Sequence, residues 1–278
     1  MINWSEFEPG DHRVGCPACG RGPKDKTLGI TVAHDGAGVA HCFRCNYTES
    51  QRPGADNRYR PGVAPARAVA PLKRERLSEV GIALFDACVG LSGTEGESYL
   101  TARGCALPPA DGDLRLHPAL RHHSGYVGPA LVALVTDAVT RKPMSLHRTW
   151  IKANGEKADI EPARMLLGGH RKAGGVIRLW PDDAVTYGLG VGEGIETALT
   201  LARVLKPVWS LIDAGNLATF PVLPGVEVLT IAADHDDAGI KAAEGCATRW
   251  VRAGADVRIV RPPKRGQDLN DFVRAAAA

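Results

Sequence analysis

Three observations predict a multi-domain α/β chain. Residues 184–278 alternate strand-like and helix-like segments, residues 1–50 hold two Cys-x-x-Cys pairs, and a Pro- and Arg-bearing stretch at 51–71 separates those pairs from the rest. At 278 residues, 44% hydrophobic and 23% charged, the composition is that of a globular protein with a core of useful size and excludes collagen-like or wholly disordered chains. No apolar run reaches the ~18 residues of a bilayer span, and Met1–Glu6 lacks the basic and apolar regions of a signal peptide. The reading is a cytoplasmic protein with no membrane partner.

The N-terminal region, 1–50, is defined by Cys16-Pro17-Ala18-Cys19 and Cys42-Phe43-Arg44-Cys45. Each pair places two thiols on one tight turn, and the intervening 22 residues suit a hairpin that joins the halves. Four soft ligands favour tetrahedral structural zinc, so Cys16, Cys19, Cys42 and Cys45 are the zinc ligands of a small ribbon. His12, His34 and His41 leave a Cys₃His set as the alternative. Cys88, Cys105 and Cys246 read as buried small hydrophobes.

Residues 51–71, with Pro53, Pro61, Pro65 and Pro71, have no apolar periodicity and read as a semi-extended basic linker. Residues 72–183 form an α+β module. Leu72–Leu91 looks helical, Glu97–Arg103 is a short helix stopped by Gly104, and Ala130–Val139 and Met144–Ile151 are strands joined at Asp137–Pro143; Val176–Leu179 is a third. In residues 184–278, strands at Val185–Val191, Val208–Ile212, Val226–Ala232 and Val257–Val260 alternate with helical stripes at Ile195/Ala198/Leu199/Ala202 and Ile240/Ala243/Ala247/Trp250/Val251. That rhythm predicts right-handed βαβ units and a parallel sheet flanked by helices.

The net charge of +3 is unevenly distributed. Residues 51–76 carry seven Lys/Arg against two acids, and residues 141–178 carry nine against three, whereas 184–278 is balanced at ten against eleven. Two basic stretches point to a polyanionic partner, the plainer reading being a solvated linker and loop. Within the second stretch, Gly168-Gly169-His170-Arg171-Lys172-Ala173-Gly174-Gly175 combines glycines that admit backbone N–H groups to phosphates with cationic side chains. Arg171 and Lys172, with Arg148 and Arg164 nearby in sequence, are therefore candidates to hold a nucleotide or template phosphate; a solvated turn is the alternative.

Acids mark the ends of the C-terminal strands. Glu193 lies where a strand meets a helix, Asp234-His235-Asp236-Asp237 follows another strand, and Asp268 follows the last one. All three positions fall on the carboxyl edge of the inferred sheet, where open α/β sheets bind ligands. Converging carboxylates repel by about 4 kcal/mol per pair at ~4 Å and an effective dielectric of ~20, which a divalent cation relieves. Taken singly, Asp236 and Asp237 could instead be helix N-caps and Glu196 an exposed helix residue.

Glu193-Gly194 after a strand, followed about 40 residues later by Asp234-x-Asp236-x-Ala238-Gly239, resembles the TOPRIM domain. With the cysteine pairs in front, the order is similar to that of DnaG-type and bacteriophage or plasmid primases. The start Cys16-x-x-Cys19, in place of the Cys-x-x-His of many bacterial replicative primases, points to the phage-like branch. The resemblance implies a nucleotidyltransferase, a DNA primase acting as a DNA-directed RNA polymerase in replication. Glu193, Asp234 and Asp236 would hold catalytic Mg²⁺ or Mn²⁺, and Asp268 would match the later acidic position. Single-stranded DNA template and NTPs would be its substrates, and a replicative helicase in trans its primosome partner. A TOPRIM nuclease and a non-catalytic RecR-like recombination mediator are the alternatives. Gly20–Thr27 resembles a phosphate loop only superficially, because Asp25 stands where glycine must precede the lysine.

Overall fold

The computed structural model describes residues 2–19, 25–52 and 73–277. The chain separates into two compact units, Met1–Val69 and Ala70–Ala278. Most of the predicted 51–71 linker falls outside the described residues; Gln51 ends a strand.

The first unit is an antiparallel four-stranded sheet of β1 (Gly10–Val14), β2 (Leu28–Val32), β3 (Gly38–Cys42) and β4 (Thr48–Gln51), paired in sequence order. Alternation buries Leu28, Ile30 and Val32 of β2 with Ala40 and Cys42 of β3. This core is small.

The second unit opens with α1 (Glu79–Asp86) and α2 (Glu95–Ala102). The expected Leu72–Leu91 helix is shorter than its pattern. Ser78 caps it, its side chain accepting from Gly81 N, and Leu77 N is bonded instead to the Pro143 carbonyl. Next come β5 (Leu114–Arg121), β6 (Val127–Asp137), β7 (Pro143–Trp150), β8 (Arg164–Leu166) and β9 (Gly175–Val176), an antiparallel sheet in which β6 pairs with β5, β7 and β9. Both faces of β6 are covered: Leu131, Ala133 and Val135 pack toward α2, and Ala130 and Val132 toward Phe85 of α1.

The C-terminal sheet consists of β10 (Gly188–Gly192), β11 (Val208–Ser210), β12 (Val228–Ala232) and β13 (Asp256–Val260), all parallel, in the order β11-β10-β12-β13. The helices are α3 (Ile195–Leu201), α4 (Ala214–Thr219), α5 (Asp237–Arg252) and α6 (Leu269–Ala277). Every second residue of β10 is glycine, and a Cβ at Gly192 would meet the Ala198 backbone nitrogen at 3.0 Å. Helix α3 therefore lies directly on the strand that carries Glu193.

The two sheets of this unit are joined. Ile177 and Ser210 exchange backbone hydrogen bonds of 2.8 and 3.0 Å, extending the middle sheet onto the β11 edge. One apolar cluster runs from Leu116 and Leu131 through Tyr99 to Leu199 and Val208. Inside it lies Glu196, buried rather than an exposed helix residue. Its carboxylate accepts from Tyr99 Oη at 2.8 Å and from Arg164 Nη2 at 3.0 Å. Burial pushes its carboxyl up, but Arg164 and Lys157 outweigh that and bring it down to about 2.

Because that carboxyl ionises more readily folded than unfolded, its contribution to stability is present above about pH 4.5 and is lost as the pH falls toward 2. Glu196→Gln is expected to lower stability at pH 7 by about 1–3 kcal/mol, with Arg164 half-exposed. The gap in denaturant midpoints from wild type should narrow between pH 4.5 and pH 3 and close only near pH 2; an equal gap at pH 7 and pH 2 would contradict the ion-pair account.

Candidate active site and metal centre

The four cysteines of the ribbon converge. Their sulfurs all lie within 4.8 Å of one another, with Cys16 Sγ 3.7 Å from Cys45 Sγ and Cys19 Sγ 3.8 Å from Cys42 Sγ. A tetrahedral ion with ~2.3 Å Zn–S bonds requires S···S edges of about 3.8 Å, so the donor set fits zinc. The backbone amides of Cys45 and Arg44 lower the Cys42 thiol to about 6 against the opposing effect of burial, with the Thr27 hydroxyl adding to them. That favours the thiolate at Cys42, whereas the Cys45 side chain and burial push Cys19 the other way, up to about 12. Among the described residues this is the one such cluster of donor atoms, and it is Cys₄ rather than Cys₃His.

The acids gather at the carboxyl edge of the parallel sheet. Glu193 follows β10, and its carbonyl accepts from Ser210 Oγ at 3.0 Å, tying it to β11. Asp234 follows β12. His235 N donates to the Gln267 carbonyl and Gly266 N to the His235 carbonyl, which draws the loop bearing Asp268 alongside. Asp236 is the N-cap of α5, accepting from Gly239 N at 2.8 Å through one oxygen and leaving the other free; cap and candidate ligand are the same residue. Gly239 is required here, since a Cβ would stand 2.6 Å from the Asp234 carbonyl and 2.9 Å from Glu193 Oε1.

Glu193 Oε1 and Asp234 Oδ1 are buried and have no hydrogen-bond partner. Burial, with Asp234, Asp236 and Asp213 nearby, pushes the Glu193 carboxyl up to about 8. Burial and the carboxylates of Asp268, Asp236 and Asp271 push Asp234 up to about 7, and burial raises Asp268. Two orphaned buried oxygens among crowded carboxylates fit a hard divalent cation, which would supply the missing partner.

The predicted basic residues do not form one patch. Arg148 lies over the Trp150 ring and donates to the Leu166 carbonyl. Arg171 is paired with Glu75 at 2.7 Å and Asp137 at 3.0 Å, and Arg164 is committed to Glu196. Lys172 borders the acidic edge, its Nζ 2.7 Å from Asp213 Oδ2. Two of the four glycine amides in this loop are already engaged, Gly174 N with Asn216 Oδ1 and Gly175 N with the Lys172 carbonyl, and Arg171 N donates to the Arg74 carbonyl. Sequence reading missed Asp213, Asn216 and Asp271; Asp213 had the same signal as the other acids, a carboxylate just past a strand.

Residues 188–278, which hold the parallel sheet and its acidic edge, match the Toprim domain model. Residues 75–179 match a domain of unknown function, DUF7146. Among solved structures the chain is similar to the zinc-binding and RNA polymerase domains of the Aquifex aeolicus primase, at 15% identity over 99% of this chain and 80% of that one, TM-score 0.46. It is also similar to the primase fragment of the bacteriophage T7 primase-helicase protein, at 17% identity over 95% of each chain, TM-score 0.44. No curated protein matches it. No helix among the described residues is long and apolar enough to cross a membrane.

The raised carboxyls carry a sign that can be measured. Folding disfavours their charged forms, so stability falls as pH rises from about 4.5 toward 8 for Glu193. In EDTA at pH 8.5, Glu193→Gln should melt several degrees above wild type, and at pH 4 the two should coincide. Millimolar Mn²⁺ should raise the wild-type Tm more than that of the variant. A variant less stable than wild type at pH 8.5 would contradict the uncompensated charge.

Proposed function

We propose that this chain is a DnaG-like primase that makes short RNA primers on single-stranded DNA from NTPs. The observation that carries the reading is the pair of partnerless carboxylate oxygens of Glu193 and Asp234 at the edge of a Toprim domain. Glu193, Asp234 and Asp236, with Asp268, would hold Mg²⁺ or Mn²⁺; when bound, these ions supply two-metal activation of the primer 3′-hydroxyl and charge neutralisation at the leaving pyrophosphate. The chain's own part is preorganisation. Ser210, Gly239 and the His235–Gln267 bond fix the carboxylates before substrate arrives, so little reorganisation remains for the reaction. Lys172, at the rim, would meet a substrate phosphate. The zinc ribbon would select the template, and a replicative helicase would act in trans.

Labelled-NTP extension on single-stranded templates of varied sequence tests the reading directly. Template-dependent ribonucleotide products support it. Metal-dependent cleavage without NTP incorporation would assign the edge to a Toprim nuclease, and DNA binding with neither activity would assign a RecR-like role.

Two variants sharpen the assignment. Asp236→Asn keeps a good N-cap, because Asn caps helices about as well as Asp, so α5 and the Tm should be preserved while synthesis is abolished. Near-normal synthesis by a folded Asp236→Asn protein would remove Asp236 from the metal site. Cys42→Ser should lose zinc and unfold the ribbon, since structural zinc contributes ~10 kcal/mol or more to such modules. Template-specific initiation should collapse while extension of an annealed primer partly survives, with zinc content and both activities measured on one preparation. Equal loss of both, with residues 70–278 still folded, would place the ribbon in the active site itself.

A further inference from the structure

Asn216, in the first turn of α4, is 6% exposed and uses its whole amide on one loop. Its Oδ1 accepts from Gly174 N at 3.2 Å, and its Nδ2 donates to the carbonyls of Lys172 and Gly175 at 3.0 Å each. The Asn216 backbone N–H donates to Asp213 Oδ1 at 2.9 Å, and Asp213 Oδ2 accepts from Lys172 Nζ at 2.7 Å. The bonds close a ring: the Lys172 main chain to the Asn216 side chain, the Asn216 main chain to Asp213, and Asp213 back to the Lys172 ammonium.

We propose that Asn216, with Asp213, is a positioning residue that presents Lys172 to a phosphate group arriving at the acidic edge. The loop also has bonds that do not involve Asn216. Gly175 N already donates to the Lys172 carbonyl at 3.0 Å, and Arg171 N to the Arg74 carbonyl at 2.9 Å. What Asn216 adds is attachment of the loop to the Toprim domain, beside the strand end that carries Asp213. A free lysine side chain carries about 2 kcal/mol of rotamer entropy, much of which must be given up when it binds a phosphate. Here the Lys172 main chain is anchored by Asn216 and its ammonium is held by Asp213. The Lys172 side chain is still half-exposed, so an incoming phosphate can replace Asp213 as its partner without moving the loop. The shared chemistry is a phosphate ester, from a nucleoside triphosphate or from a single-stranded template. The proposal rests on the primase reading for the identity of those ligands, not for the ring itself.

The test is a double-mutant cycle on equilibrium binding, using Mn²⁺–ATP and a dT oligonucleotide as separate probes on the full chain. Lys172→Ala should weaken one probe by about tenfold, the loss of one charge-assisted contact. If that probe is the oligonucleotide, its log–log salt slope should fall by about 0.7. Asn216→Ala should weaken the same probe comparably, and the double variant should be no weaker than the weaker single, because one residue acts through the other. Mn²⁺ affinity without ATP, read by electron paramagnetic resonance, should be unchanged. Asn216→Asp, which keeps the size and the Gly174 acceptor but loses the donor, serves if the alanine variant folds poorly and should also weaken that probe. Additive losses, a lowered Tm with binding intact in a folded variant, or a wild-type protein that binds neither probe would overturn the proposal. A wild-type protein that shows the coupling but synthesises no primer would overturn the primase reading and leave the ring standing.

Discussion

Two carboxylates, Glu193 and Asp234, are held half-buried with an oxygen each that nothing in the chain satisfies. Every element around them either creates that constraint or answers it. Parallel strands bring the acids to one edge, glycine at 239 lets them approach, and the α5 cap brings Asp236 to the same place. An isolated pair of this kind opposes folding, because burial and like charge both disfavour ionisation. The unit tolerates it because its stability comes from elsewhere, chiefly the apolar cluster that α3 shares with the middle sheet.

That sharing decides how the second unit is built. Family models divide it at residues 179 and 188, but its packing does not divide there. Glu196 on α3 reaches Tyr99 of α2 and Arg164 of β8, and Asn270 of α6 accepts from Arg103 Nε and donates to the Arg103 carbonyl. These buried polar links are specific in a way apolar contacts are not, because each would leave a charge or an amide unpaired in any other docking. The acidic edge is consequently braced by residues of the 75–179 segment that matches the domain of unknown function.

Much of this was legible in the sequence, for identifiable reasons. Short apolar runs exposed the strands, several of which are buried on both faces, and a period-3.6 stripe exposed α5, which keeps one polar face. The cysteine spacing exposed the four-cysteine cluster, because few other arrangements use two Cys-x-x-Cys turns. An exposed Glu196 was the alternative suggested for a single acid, because an acid three residues past Glu193 looks solvated. The missed signal was that Ile195–Leu201 contains no other charged residue, the mark of a helix buried on all sides. Helix α4 was too short to show a period, and α6, with apolar positions 269, 272 and 273, was masked by its alanine-rich end. The partners of Arg148, Arg164 and Arg171 could not be read locally, since each is fixed by a residue brought in by the tertiary fold or by a cross-strand neighbour.

The Ile177–Ser210 bridge has a consequence for solubility. An open parallel sheet has two edges whose unpaired amides can recruit strands from other molecules. Ile177 covers part of the β11 edge, which leaves β13 as the exposed flank of the sheet. That strand is short, five residues, and carries Asp256 and Arg258 with exposed charged side chains among its apolar ones. Charge on the remaining flank discourages edge-to-edge pairing, so the same strand order that brings the acids to one edge also limits aggregation.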